Sequence, residues 1–111
     1  MKKELISDFT RRISQCNKGG LIVIMYDIVF AYLDEAKQSY EKKDHEAFKE
    51  AVRNADRSIL ELIHSLDFSY EIAKELYPLY VYCREELSKT LYKNRLDELN
   101  HAEKILRSLS D

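Results

Sequence analysis

The sequence predicts an all-α fold: an antiparallel up-down-up-down four-helix bundle with a short additional N-terminal helix. Three observations predict it. Breakers are scarce, with two Gly and one Pro in 111 residues, so the elements are long and uninterrupted. Apolar residues recur at helical spacing in five successive segments. The segments are joined by short polar connections, which make sequential helices antiparallel neighbours.

The first segment, about residues 3–14, places Leu5, Phe9 and Ile13 on one stripe with Ile6 beside them. A helix this short is unstable alone and must dock. Cys16-Asn17-Lys18-Gly19-Gly20 reads as a linker, with Asn17 as a candidate cap for the next helix. The second segment, about 18–42, carries Leu21, Met25, Ile28/Val29, Tyr32 and Ala36, widened by Ile22, Leu33 and Tyr40. Val23 and Phe30 lie on a further face beside Asp27. That is more apolar surface than one bundle face needs, so this helix sits centrally or presents a second apolar surface.

Asp44 is the expected N-cap of a third segment, about 45–66, whose stripe is Phe48, Val52, Ala55, Ile59, Leu62, Ile63 and Leu66. Asp67-Phe68-Ser69 marks a turn. A fourth segment, about 70–92, carries Ile72/Ala73, Leu76/Tyr77, Tyr80, Cys83, Leu87 and Leu91. Pro78 falls inside it, but the apolar pattern continues in phase, which predicts a kinked helix rather than two helices. Asn94 is the expected cap of the last segment, about 95–109, with Leu96, Leu99, Ala102, Leu106 and Leu109. The organisation is an N-terminal amphipathic segment, 1–16, packed on a bundle domain, 17–111.

Composition excludes several functions. Eighteen basic residues against 20 acidic ones give a net charge of −2 without a basic block, so a nucleic-acid footprint is missing. The start of the chain lacks the apolar stretch of a signal peptide. The run Leu21 to Leu33 is broken by Asp27 and is too short to span a bilayer. The expected location is cytoplasmic, without membrane insertion. Cys16 and Cys83 share no zinc or redox spacing, and Cys83 reads as a buried thiol.

One constellation calls for a metal test. Glu61-Leu62-Ile63-His64 and Glu98-Leu99-Asn100-His101 are both Glu-x-x-His, part of the di-iron carboxylate pattern of bundles. They fall near opposite ends of two parallel helices, about 20 Å apart at 1.5 Å rise per residue. A dinuclear site needs metals about 4 Å apart. Neither a metal, a cofactor nor a catalytic residue is therefore expected. What remains is an aromatic excess. Of eight Tyr, Tyr70, Tyr77, Tyr80 and Tyr82 crowd one segment, and together with Val23 and Phe30 they suggest an apolar partner-binding surface.

Three stretches then carry a resemblance. Leu21-Ile22-Val23-Ile24-Met25-Tyr26-Asp27 resembles the first-helix signature of the flagellin-specific export chaperones, the FliS family. Leu66-Asp67-Phe68 is similar to their Leu-Asp turn. Ala73 followed by Leu76-Tyr77-Pro78-Leu79-Tyr80-Val81-Tyr82 resembles their Ala-x-x-Leu-x-x-Leu-Tyr-x-Tyr segment. Order and spacing agree over about residues 17–106.

The resemblance implies a chaperone that binds the disordered C-terminal segment of flagellin, prevents premature polymerisation and delivers it to the flagellar type III export apparatus, as a monomer or weak homodimer. The candidate contacts are Val23, Tyr26, Phe30, Tyr77 and Tyr80. Leu5, Phe9 and Ile13 are candidate gate residues, because the family's N-terminal region lies over part of the client site. Docking that stripe buries about 300 Å² of apolar area, on the order of 7 kcal/mol gross. Ordering roughly ten residues costs at least as much. A displaceable gate and a permanent fifth piece of core both stay open. So do two other functions: a generic adaptor that takes an amphipathic helix, and a self-associating structural bundle.

Overall fold

The computed structural model describes residues 11–110. A helical turn over residues 11–15 precedes four helices: α1 (Ile22–Glu41), α2 (His45–His64), α3 (Glu71–Lys93) and α4 (Asp97–Ser110). They pack antiparallel in chain order, α1 on α2, α2 on α3 and α3 on α4, and α4 returns to α1. Leu5 and Phe9 lie outside the described residues.

The core is built as the periodicity requires. Phe48, Val52, Ala55, Ile59 and Leu62 of α2 meet Leu76, Tyr80, Cys83 and Leu87 of α3 and Leu99, Ala102 and Leu106 of α4, all fully buried. Cys83 donates its thiol to the Ala102 carbonyl at 3.7 Å, and burial pushes its pKa up to about 12. It is a small core residue. Asp44 caps α2 by accepting the Ala47 N–H at 3.1 Å, which satisfies one free donor of the first turn. α3 runs unbroken through Pro78, which sits on its exposed side. There the missing amide is lost to solvent rather than to the core.

Three expectations are corrected. Asn17 does not cap α1: Leu21 holds the N-cap position with no side-chain bond. Asn17 is held elsewhere, in an antiparallel bridge to Leu66, so α1 starts only at Ile22. Asn94 does not start the last helix either. It ends α3 in the left-handed conformation, φ 56°, with its N–H on the Thr90 carbonyl. Asn tolerates this conformation because its short polar side chain bonds locally.

The third correction concerns the rotation of α1. Its core residues are Ile22, Tyr26, Val29, Phe30, Leu33 and Ala36, so the buried face is centred on Val29. Leu21 and Ile28, which the spacing put on the core stripe, are 58% and 44% exposed. α1 does present apolar surface on both flanks of its buried face.

Side-chain pairs tie the helices together. Arg84 of α3 grips Asp56 of α2 with two bonds, 2.9 and 3.1 Å. Glu98, nearly buried, accepts from Lys93 at 3.0 Å and from Arg95 at 3.2 Å. Those two cations hold its carboxyl down at about 2.

Candidate partner-binding surface

On the α4 side of α1, the first two turns of the helix bring Ile22, Val23, Tyr26, Asp27 and Phe30 together. With Ile13 and Ser14 from the N-terminal turn and Arg107, Leu109 and Ser110 from the end of α4, they line a cavity of about 170 Å³. An apolar cavity of about 150 Å³ accommodates a benzene ring, so this one has room for one large apolar side chain.

Its floor is rigid. The Tyr26 ring stacks on Phe30 with centroids 6.1 Å apart. The Tyr26 hydroxyl meets the Tyr80 hydroxyl of α3 at 2.7 Å, buried. Burial pushes both phenols above their ordinary range, Tyr80 to about 12. The pair is therefore neutral and joins α1 to α3 under the cavity. The rim is polar. The Arg107 guanidinium lies 3.9 Å from the centroid of the Phe30 ring, a cation–π arrangement. Arg107 also donates to Glu103 at 3.1 Å, and Glu103 accepts from Lys37 of α1. One chain of charge and ring thus fastens α4 across α1.

The five candidate contact residues divide. Val23, Tyr26 and Phe30 share this cavity. Val23 is 66% exposed, whereas Tyr26 and Phe30 are buried at its base. Tyr80 supports the site from below through Tyr26, by its hydroxyl and by its ring at 6.5 Å between centroids, and is fully buried. Tyr77 stands apart on the surface of α3, edge-on to Phe68 at 5.8 Å between centroids. Ile13, the described member of the N-terminal stripe, is buried against the cavity.

Sequence reasoning missed two features. Arg107 reads as an ordinary polar residue near a helix end, and no spacing rule links it to Phe30. The opposite flank of α1 was also missed, where Leu21, Ile24 and Ile28 are exposed. There Met25 and Ile28 line a shallow groove with Ser58 and Glu61 of α2. The signal was present in the continuous apolar run of α1, which has no clean polar face.

The Glu-x-x-His residues contact their neighbours rather than each other's motif. Glu61 and His64 sit exposed, 3.9 Å apart. Glu98 is held by Lys93 and Arg95, and His101 lies 3.2 Å from buried Glu86. Among the described residues, no three His, Cys, Asp or Glu side chains gather as a metal site, and no helix is long and apolar enough to cross a membrane.

Fold and surface define a class: an antiparallel helical bundle that exposes apolar side chains along its first helix, above a buried tyrosine pair. The family described as Flagellar protein FliS matches residues 2–111. The chain belongs to that family, and membership implies the role of a non-enzymatic flagellar export chaperone with flagellin as the family's partner. No curated protein and no solved structure matches the chain.

Proposed function

We propose that this chain binds the disordered C-terminal segment of flagellin in the cytoplasm, keeps flagellin from polymerising prematurely and hands it to the flagellar type III export apparatus. The observation that supports the reading most is the cavity of Val23, Tyr26 and Phe30 on α1, open beside a helix with apolar surface to spare. A disordered segment that folds on binding wraps a large surface and gives up affinity to ordering. Val23, Tyr26 and Phe30 then form the anchor pocket, Tyr80 supports its floor, and Tyr77 with Phe68 extends the contact along α3.

In this reading the N-terminal segment carrying Leu5, Phe9 and Ile13 is a displaceable gate. Ile13 occupies the cavity wall that a client helix would take, so segment and client compete. The chain acts as a monomer or weak homodimer. The test is flagellin polymerisation followed by light scattering, with the intact chain and with Met1 to Ser14 removed. Both should suppress filament growth, the truncated chain at equal or lower concentration. Loss of the thermal unfolding transition on truncation would make the segment permanent core and refute the gate.

A further inference from the structure

The flank of α1 that faces α2 is a second surface, on the other side of the helix from the cavity of Val23 and Phe30. Leu21, Ile24 and Ile28 stand exposed along it, an aliphatic ridge of the kind that marks interaction sites. Beside the ridge runs a groove. Gly19, Leu21 and Ser65 line one depression of about 280 Å³, Ile28 and Ser58 line another of about 240 Å³, and Met25 and Glu61 belong to both. The two are therefore one continuous groove between α1 and α2.

Its α2 wall is low because Ser58 and Ser65 stand where larger side chains would close it. Both hydroxyls donate back to their own helix, Ser58 to the Asn54 carbonyl at 2.9 Å and Ser65 to the Leu62 carbonyl at 2.7 Å. An apolar side chain entering the groove covers hydroxyls that already have partners, and so strands none of them.

Charge sets the kind of occupant. α1 carries four carboxylates, Asp27, Asp34, Glu35 and Glu41, and one cation, Lys37. Lys37 is taken by Glu103 of α4. Among the described residues, none of the four carboxylates has an ion-pair partner. Glu35 lies two turns beyond Ile28 on the same ridge and is exposed. Across the groove, Glu61 is exposed and meets only His64, at 3.9 Å. Arg57, on the outer side of α2, is engaged by Glu50 and Asn54. Lys18 and His64 bring positive charge only to the Gly19 end of the groove.

We propose that this groove docks an amphipathic helix of a partner protein whose apolar stripe is bordered by Lys or Arg. From Leu21 to Glu35 the ridge runs about 21 Å at 1.5 Å rise per residue, the length of roughly four helical turns. Apolar anchors at i, i+3 and i+7 lie against Leu21, Ile24 and Ile28 and enter the groove at Met25, while cations on the borders of the stripe reach Glu35 and Glu61. A second copy of this chain fits less well, because it brings the same acidic ridge against itself and like charges then meet. The proposal does not rest on the flagellin reading, since it uses none of the cavity residues.

Two synthetic peptides of roughly 18 residues, long enough for four turns, test it by NMR titration into the full-length chain. One carries a Leu stripe bordered by Lys, and the other has Glu in place of every Lys. The Lys peptide should shift the amide signals of Leu21, Ile24, Ile28, Ser58 and Glu61. It should bind at least about tenfold more tightly than the Glu peptide, and that preference should shrink in about 1 M salt, where charges are screened within about 3 Å. Ile24→Asn should weaken the Lys peptide at least about fivefold. Glu35→Lys combined with Glu61→Lys, both at exposed positions, should remove the preference for Lys while the melting curve stays that of the parent. Equal affinity for the two peptides, or shifts confined to Val23, Phe30 and Arg107, would overturn the proposal. A parent chain that sediments as a dimer and becomes monomeric with Ile24→Asn would give the groove to a second copy and overturn it as well.

Discussion

Removing one hydroxyl of the Tyr26–Tyr80 pair should cost more than removing both. Each hydroxyl is buried at the α1–α3 contact, 2.7 Å from the other, and neither has a second hydrogen-bond partner among the described residues. Tyr80→Phe deletes one oxygen and strands the other in an apolar surround. The loss of a buried partner costs about 1–3 kcal/mol, whereas replacing both partners by apolar groups is close to neutral. Tyr26→Phe and Tyr80→Phe should therefore each lose about 1–2 kcal/mol. The double variant should lose less than either single one, a coupling of at least about 1 kcal/mol between two touching residues. Urea unfolding followed by circular dichroism measures it, and at about 4–8 °C per kcal/mol for a domain near this size the melting temperature shows it too. The ring stacking of Tyr26 on Phe30 is untouched by the substitution, so the hydroxyls alone are read. Additive losses, or single variants as stable as the parent, would refute the idea that the pair is a closed hydrogen-bonded unit.

Other outcomes follow from the same structure. Pro78 interrupts the ladder of α3 on its exposed side, so Pro78→Ala should raise stability or leave it unchanged, with a ceiling of about 3 kcal/mol; a less stable variant would mean that the local backbone needs the ring. Glu98 is held to about 2 in the folded state against an ordinary 4.5. A lowered pKa stabilises the fold above pH 4.5, and that contribution is lost as pH falls through 2. Glu98→Gln should flatten the stability profile between those values, and an unchanged acid slope would contradict the Lys93–Glu98–Arg95 pairing. The purified chain should hold no stoichiometric iron, manganese or zinc, since Glu98 is paired with Lys93 and Arg95 and His101 is hydrogen-bonded to Glu86; elemental analysis finding two metals per chain would overturn the assignment of both Glu-x-x-His motifs.

Much of the fold was legible because α2 and α4 are strongly one-sided. Phe48, Val52, Ala55, Ile59 and Leu62 recur at helical spacing with charged residues between them, and the structure buries every one. α1 was harder to read. Its run from Leu21 to Phe30 holds one charged residue, Asp27, so periodicity alone could not orient it. Packing chose the face centred on Val29 and left Leu21, Ile24 and Ile28 outside.

Long-range pairings were invisible for a different reason. Asn17 looked like a cap because local sequence offers it the N–H groups just ahead. Its actual partner is Ser65, 48 residues away. The cavity was half legible: Val23 and Phe30 stood out as a further apolar face of α1 and Tyr26 belonged to its signature, while Arg107 came to Phe30 only through the return of α4 onto α1.

The central claim is that this bundle recognises the C-terminal segment of monomeric flagellin. Isothermal titration of the full-length chain into flagellin, intact and with that segment deleted, tests it directly. The account predicts saturable binding to the intact monomer, weakened by Val23→Asp at the exposed wall of the cavity, and no binding to the truncated one. Undiminished binding to flagellin without its C-terminal segment would contradict it.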